Sequence, residues 1–167
     1  MTAYTNITNG SLPDATLVMA NFNALALPFQ IYTGTGFNSV TTTGTDEQSV
    51  ELDAIGAGRA TNYVVVEVTA KYAANSTNGS SYVQLKVQSK ETGGAYGDIT
   101  GYHSMAAMFD ADAGNQVQVC QTFRYVYTPT AGEKSNGLQL KVFTKSVLAS
   151  GTGGASATNV QTLVYVL

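Results

Sequence analysis

The sequence predicts an all-β fold: a two-sheet sandwich of jelly-roll type, preceded by one short N-terminal α-helix. Three observations carry this. Apolar residues recur with a period of two through most of the chain, polar Gly/Asn/Ser/Thr stretches separate those runs, and a single early segment has helical period instead. At 167 residues the chain fits one domain with a core of its own. The change of period divides it into an N-terminal helical segment, 1–28, and a β-sandwich domain, 29–167.

The helical segment runs from Ser11 to about Ala26. Ser11 is a capping residue, Pro13 lies in the first turn where its missing N–H costs nothing, and Asp14 completes a Ser-x-x-Asp variant of the capping box. Ala15, Val18, Phe22 and Leu25 then form one apolar stripe, and Pro28 stops the helix. A helix of about 15 residues is marginal alone in water, so this stripe needs a surface to pack on.

Beyond Pro28 the residues alternate. Val64, Val66, Val68, Ala70 and Tyr72 share one face of a strand over 62–72, and Val83, Leu85 and Val87 share one face of the next. Between them Asn75–Ser80 reads as a loop, with Asn78-Gly79 suited to positive φ. Val117, Val119, Phe123, Tyr125 and Tyr127 alternate over 116–127, ended by Pro129 and a loop over Gly132–Gly137. Leu138, Leu140 and Val142 open another strand, Ser150–Thr158 reads as a loop, and Asn159–Leu167, apolar on both faces, reads as a strand in the sheet interior. Weaker strands are expected at Val50–Ile55 and near Ile31, and Met105–Phe109 fits either a strand or a helical turn. Seven or eight strands with polar connections fit two packed sheets.

Composition excludes several functions. Only 11% of residues are charged, and the net charge is −3 with a pI near 4.9. The eight Lys and Arg are spread along the chain without the basic stripe that phosphate binding needs, so no nucleic-acid partner is expected. No run of 18 apolar residues spans a membrane, and the first ten residues lack the basic and apolar regions of a secretory leader. Cys120 is the only cysteine, which excludes an intrachain disulfide; a small buried hydrophobe in a strand is its expected role.

Catalytic constellations are missing. His103 is the only histidine, no nucleophile-elbow motif surrounds a serine, and an exposed or hydrogen-bonded loop position suits it. Glu51 and Asp53 stand at a spacing a glycosidase pair could use, but the chain has no Trp to build a sugar platform, and a solvated strand face explains them. Asp110 and Asp112 open a partial calcium loop that holds Gly114 and Gln121 where the full motif wants ligands, which makes them a weak calcium candidate. No catalytic residue, metal site or cofactor is expected. Ten tyrosines are the one compositional sign of a binding surface. Tyr72 and Tyr125 sit on apolar strand faces and belong to the core, whereas Tyr96 and Tyr102, in the loop-rich stretch 93–103, are the candidates to face a ligand.

The segment Ile7–Ala26 resembles the N-terminal segment of tail-fibre and virion-appendage proteins of tailed phages, through Asn9, Gly10, Leu12, Asp14, Ala15, Val18, Asn21, Phe22, Ala24 and Leu25. The resemblance implies a virion structural protein: a short fibre, spike or capsid-decoration protein exposed on the particle. It would assemble as a homo-oligomer, often a trimer, and contact other virion proteins and a host-surface glycan or receptor. It assigns Ala15, Val18, Phe22 and Leu25 to anchoring or assembly. The alternatives are a secreted or cell-surface glycan-binding sandwich and a self-polymerising filament subunit.

Overall fold

The alternating pattern resolves into two very long strands that pair with each other. A computed structural model of the chain describes residues 29–33, 38–60, 62–110 and 115–167. The expected N-terminal helix, with Ala15, Val18, Phe22 and Leu25, lies outside the described residues. The elements are β1 (Phe29–Thr33), β2 (Asn38–Val40), β3 (Gly44–Glu51), β4 (Val64–Glu91), β5 (Gly97–Asp98), β6 (His103–Asp110), β7 (Asn115–Tyr127), α1 (Ala131–Asn136) and β8 (Leu138–Val166). All pairings are antiparallel.

β4 and β8 run side by side from Val64↔Val166 to Glu91↔Leu138. All eight strands are hydrogen-bonded into one continuous sheet, which the bend in β4 and β8 divides into two layers, the first and second sheets. In the first sheet, β7 pairs with β4 up to Ser76, β8 flanks β4 on the other side, and β1 and β2 pair with the outer edge of β8. In the second, β5 and β6 pair with the later half of β4, and β3 pairs with the early half of β8.

The two long strands change sheets together at one corner, where the register shifts between Thr77 and Ser81. Asn78 has φ 53° and Gly151 φ 77°, the left-handed region where side chains are strained. A Cβ on Gly79 would collide with the Ser150 backbone, so the chains approach more closely there than any side chain allows. The segments read as loops, Asn75–Ser80 and Ser150–Thr158, are therefore paired strand; their polar residues sit where the backbone bends, not where pairing stops.

The corner also preserves the core. Inward residues of β4 are even-numbered from Val64 to Ser76 and odd-numbered from Ser81 to Ser89, so one extra residue keeps the same face inward on both sides of the bend. β8 switches twice: Leu138, Leu140 and Val142 face inward, then Ala155 and Ala157, then Val160, Val164 and Val166, the second switch falling at Asn159 with φ 54°. One apolar cluster joins both sheets, including Val66, Val68 and Tyr72 of the first and Val83, Leu85 and Val142 of the second. His103 of β6 lies 5.0 Å from the Phe123 ring of β7, bringing the two sheets together along that side.

Other expectations resolve as follows. Met105–Phe109 is strand, part of β6, and the strand expected at Val50–Ile55 starts earlier, at Gly44, with Ile55 joined to Leu138 by a single bridge. The last part of β8 lies between β4 and β1, in the sheet interior as its two apolar faces require. The loop expected at Gly132–Gly137 is mostly the helix α1. Thr130 caps it and Glu133 closes a full capping box, a Thr-x-x-Glu signal present in the sequence.

Candidate functional site

The outer face of the second sheet carries alternating cations and rings. Lys86 and Lys90 stand four apart on β4, Lys141 and Lys145 four apart on β8, and the register sets Gln84 opposite Lys145 and Gln88 opposite Lys141. All four lysines therefore share one face, half of the chain's eight lysines and arginines. The stretch from Thr92 to Tyr102 lays two tyrosines among them. Lys145 lies 5.2 Å and Lys86 4.8 Å from the Tyr102 ring, while Lys86 at 4.8 Å and Lys141 at 5.9 Å flank Phe143. Lys141 and Lys90, each at 4.4 Å, flank Tyr96.

Acids close the ladder. The Tyr96 hydroxyl crosses to β3 and donates to Glu51 Oε1 at 2.5 Å, and Lys90 reaches the same oxygen at 3.2 Å. The hydrogen bond from Tyr96, then Lys90, holds the Glu51 carboxyl below its ordinary value. Burial and then Glu51 push the Tyr96 hydroxyl well above its ordinary value. Asp98 accepts from Gln88 Nε2 at 2.6 Å and pairs with Lys86 at 3.4 Å. The Tyr102 hydroxyl is buried without a well-formed hydrogen bond; burial and then nearby Glu47 raise it. Each cation–ring contact of this kind is worth about 0.5–1 kcal/mol. Together they fasten the 92–102 stretch across the sheet.

Tyr96 and Tyr102, the residues expected to face a ligand, thus share this face, half-buried, with lysines over their rings. The clustering escaped the sequence because four cations distant along the chain meet only through the β4–β8 register. The signal was the repeated four-residue spacing.

Two further features lie on the first sheet. Phe29, Tyr165, Val65 and Val126 are register partners across four strands, and two residues further along Tyr63 pairs with Leu167 through both backbone groups. Tyr63, Val126 and Leu167 are 52%, 53% and 55% exposed, an apolar cluster at the end of the sheet where β1 enters. At the corner end, a shallow trough of about 310 Å³ crosses the strands, floored by Ala73, Gly154 and Ala155 and rimmed by Ser39, Thr41, Asn75, Gln116 and Ser156. Its polar groups are neutral hydroxyls and carboxamides.

The remaining candidates are dispersed. Cys120 is exposed on the outer face of β7, not buried: the inward positions are Val117, Val119, Phe123, Tyr125 and Tyr127, and Cys120 falls between them. Tyr72 is fully buried, as expected of a core residue, and Tyr125 half-buried. His103 is exposed at the start of β6 against Phe123. Glu51 is engaged by Tyr96 and Lys90, and Asp53 lies beyond the end of β3, so they do not share a strand face. Asp110 ends β6 and Gln121 lies within β7, while Asp112 and Gly114 are outside the described residues. Among the described residues no group of three or more His, Cys, Asp or Glu could hold a metal, and no helix is long and apolar enough to cross a membrane.

A buried acid went unnoticed in the sequence. Glu133 is 4% exposed and accepts from the Tyr127 hydroxyl at 2.6 Å and from the Thr130 N–H at 2.7 Å, while Ser89 donates to Tyr127 at 3.2 Å. Burial alone would raise the Glu133 carboxyl, but the hydrogen-bonding groups of Ser89, Tyr127 and Thr130 outweigh it and hold it low. Burial, then Glu133, pushes Tyr127 up to about 12. The network ties the second sheet to the end of the first.

No family model and no curated protein sequence matches the chain. Among solved structures, it is similar to infectious bursal disease virus-derived T=1 particles, at 8% identity and a TM-score of 0.44 over 84% of this chain and 32% of that one. The structure of the virus Gx strain gives 10% identity and a TM-score of 0.42 over 83% and 32%. The CBM22-1 xylan-binding domain of Paenibacillus barcinonensis Xyn10C gives 13% identity and a TM-score of 0.35 over 83% and 94%. The chain spans about a third of the length of the viral proteins.

Proposed function

We propose that this chain is a non-enzymatic structural protein of a phage particle, a short fibre, spike or decoration exposed on the virion, assembled as a homo-oligomer through its N-terminal segment. The observation that carries this reading is where that segment joins the sandwich. Residues 7–26, which resemble virion-appendage N-termini, lead directly into β1, and β1 begins on the rung of Tyr165, Val65 and Val126, beside exposed Tyr63 and Leu167. The sequence that carries the apolar stripe thus continues into a strand whose first rung lies near exposed apolar residues.

Deleting residues 1–27 and, in the full chain, Phe22→Asp test it. Both variants should keep the β circular dichroism spectrum and nearly the same melting point while light scattering shows the oligomer or particle attachment lost. Unfolding of both at modest temperature would make the segment part of the domain's own core and end the anchoring reading. The corner trough favours a second reading, a module binding a neutral glycan, because its hydroxyl and carboxamide rim matches sugar hydroxyls without charge. Glycan-array binding lost on Asn75→Ala and Gln116→Ala would support it.

A further inference from the structure

We propose that β7 pairs edge to edge with β7 of a second copy, continuing the first sheet across a two-fold axis. The inference rests on the self-association in the proposed function but assigns it a separate surface. Among the described residues, β7 pairs only with β4, so the other edge of its 13 residues has no partner strand among them. Isolated domains protect such edges with charges, prolines, bulges or shortness. β7 has almost none of these: its register with β4 is unbroken, it contains no proline, and Arg124 is its one charged residue. The other edges are protected. β3 carries Asp46, Glu47 and Glu51, which would repel their copies; β6 follows a register shift; β1, β2 and β5 are short.

The β7 sequence is complementary to itself when reversed. Gln121 is its midpoint, and a two-fold pairing centred there keeps every residue in register. Val119 then faces the second copy's Phe123, and Val117 faces Tyr125, aromatic against β-branched on the inward side. Those four side chains are only half-buried in one copy. On the outer side Gln118 faces Arg124 and Cys120 faces Thr122, all exposed. Arg124 touches Glu67 through Nε at 3.3 Å and its side chain is 64% exposed, leaving it able to meet a neighbour.

Gln118 tests both the surface and the register. Sedimentation of the full chain over a concentration series should show a monomer–dimer equilibrium. Gln118→Arg sets like charges opposite each other twice per dimer and should weaken it about tenfold, whereas Gln118→Glu should tighten it several-fold. Circular dichroism should stay unchanged, since residue 118 is exposed. The two Cys120 side chains would lie diagonally about 7–8 Å apart, so a short bismaleimide should link the copies, and Cys120→Ser should abolish the link. A monomer at every concentration overturns the proposal, as does a dimer whose affinity ignores both Gln118 substitutions. A dimer lost on deleting residues 1–27 but indifferent to Gln118 overturns it while leaving the N-terminal anchor standing.

Discussion

Removing one oxygen atom should make this protein more stable. Tyr72 is fully buried, and its hydroxyl has no hydrogen-bond partner among the described residues. A buried hydroxyl left unpaired costs about 1–3 kcal/mol. Tyr72→Phe removes that cost and leaves a gap the size of one oxygen, on the order of 10–15 Å³, worth about 0.3 kcal/mol at the usual cavity coefficient. The net gain is about 1 kcal/mol, or roughly 2–4 °C in melting temperature for a chain of this size. Thermal and urea unfolding followed by far-UV circular dichroism measure it. Tyr127→Phe is the matched control: its hydroxyl bonds Glu133 and Ser89, so the same chemical change should destabilise. A loss of more than about 0.5 kcal/mol in Tyr72→Phe would refute the reasoning, because it would mean an enclosed water satisfies the hydroxyl.

Other expectations follow from the same structure. Glu133 is held below its ordinary 4.5, so its contribution is present above about pH 4.5 and lost as pH falls through the lowered value. Glu133→Gln should flatten the acid limb of a stability–pH curve. Tyr127, raised to about 12, contributes below pH 10 and loses that contribution as pH climbs toward 12, so Tyr127→Phe should flatten the alkaline limb. Gly79→Ala forces a Cβ into the Ser150 backbone and should cost about 3 kcal/mol or more, read as a lowered urea midpoint. Cys120, exposed in a single copy, should react with a thiol reagent without unfolding of the chain, and Cys120→Ser should change the stability of the monomer by less than about 0.5 kcal/mol.

The strands were legible because alternation is a local property: 62–72, 83–87, 116–127 and 159–167 each show inward residues at every second position. The same alternation placed Cys120 with Gln118 and Thr122 on the polar side, a signal overridden by the general tendency of free cysteines to be buried. Composition misled at Asn75–Ser80 and Ser150–Thr158, where Gly, Ser and Asn mark a bend shared by two paired strands. Nothing local to either segment reveals the other, since the pairing joins residues far apart in the chain. The lysine ladder was hidden for the same reason, while the Thr130/Glu133 cap was written in four consecutive residues. The N-terminal stripe of Ala15, Val18, Phe22 and Leu25 remains a sequence reading tied to the domain by the position of β1.

The shared corner sets how this protein must fold. Because β4 and β8 pass through both sheets, neither sheet contains its own complete set of strands, and the layer that closes second inherits its register from the first. Val64 must find Val166 across most of the chain, whereas Glu91 and Leu138 are brought together by the shorter segment between them. Loop closure is less costly at the Glu91–Leu138 end, so pairing is expected to start there and to reach the corner, with Gly79 and Gly151, before the first sheet closes. Assembly dominated by such distant contacts is slow, on the millisecond-to-second scale. A chain halted at the corner would hold one finished layer and one bare apolar strand, the species on which a chaperone or an aggregate would act.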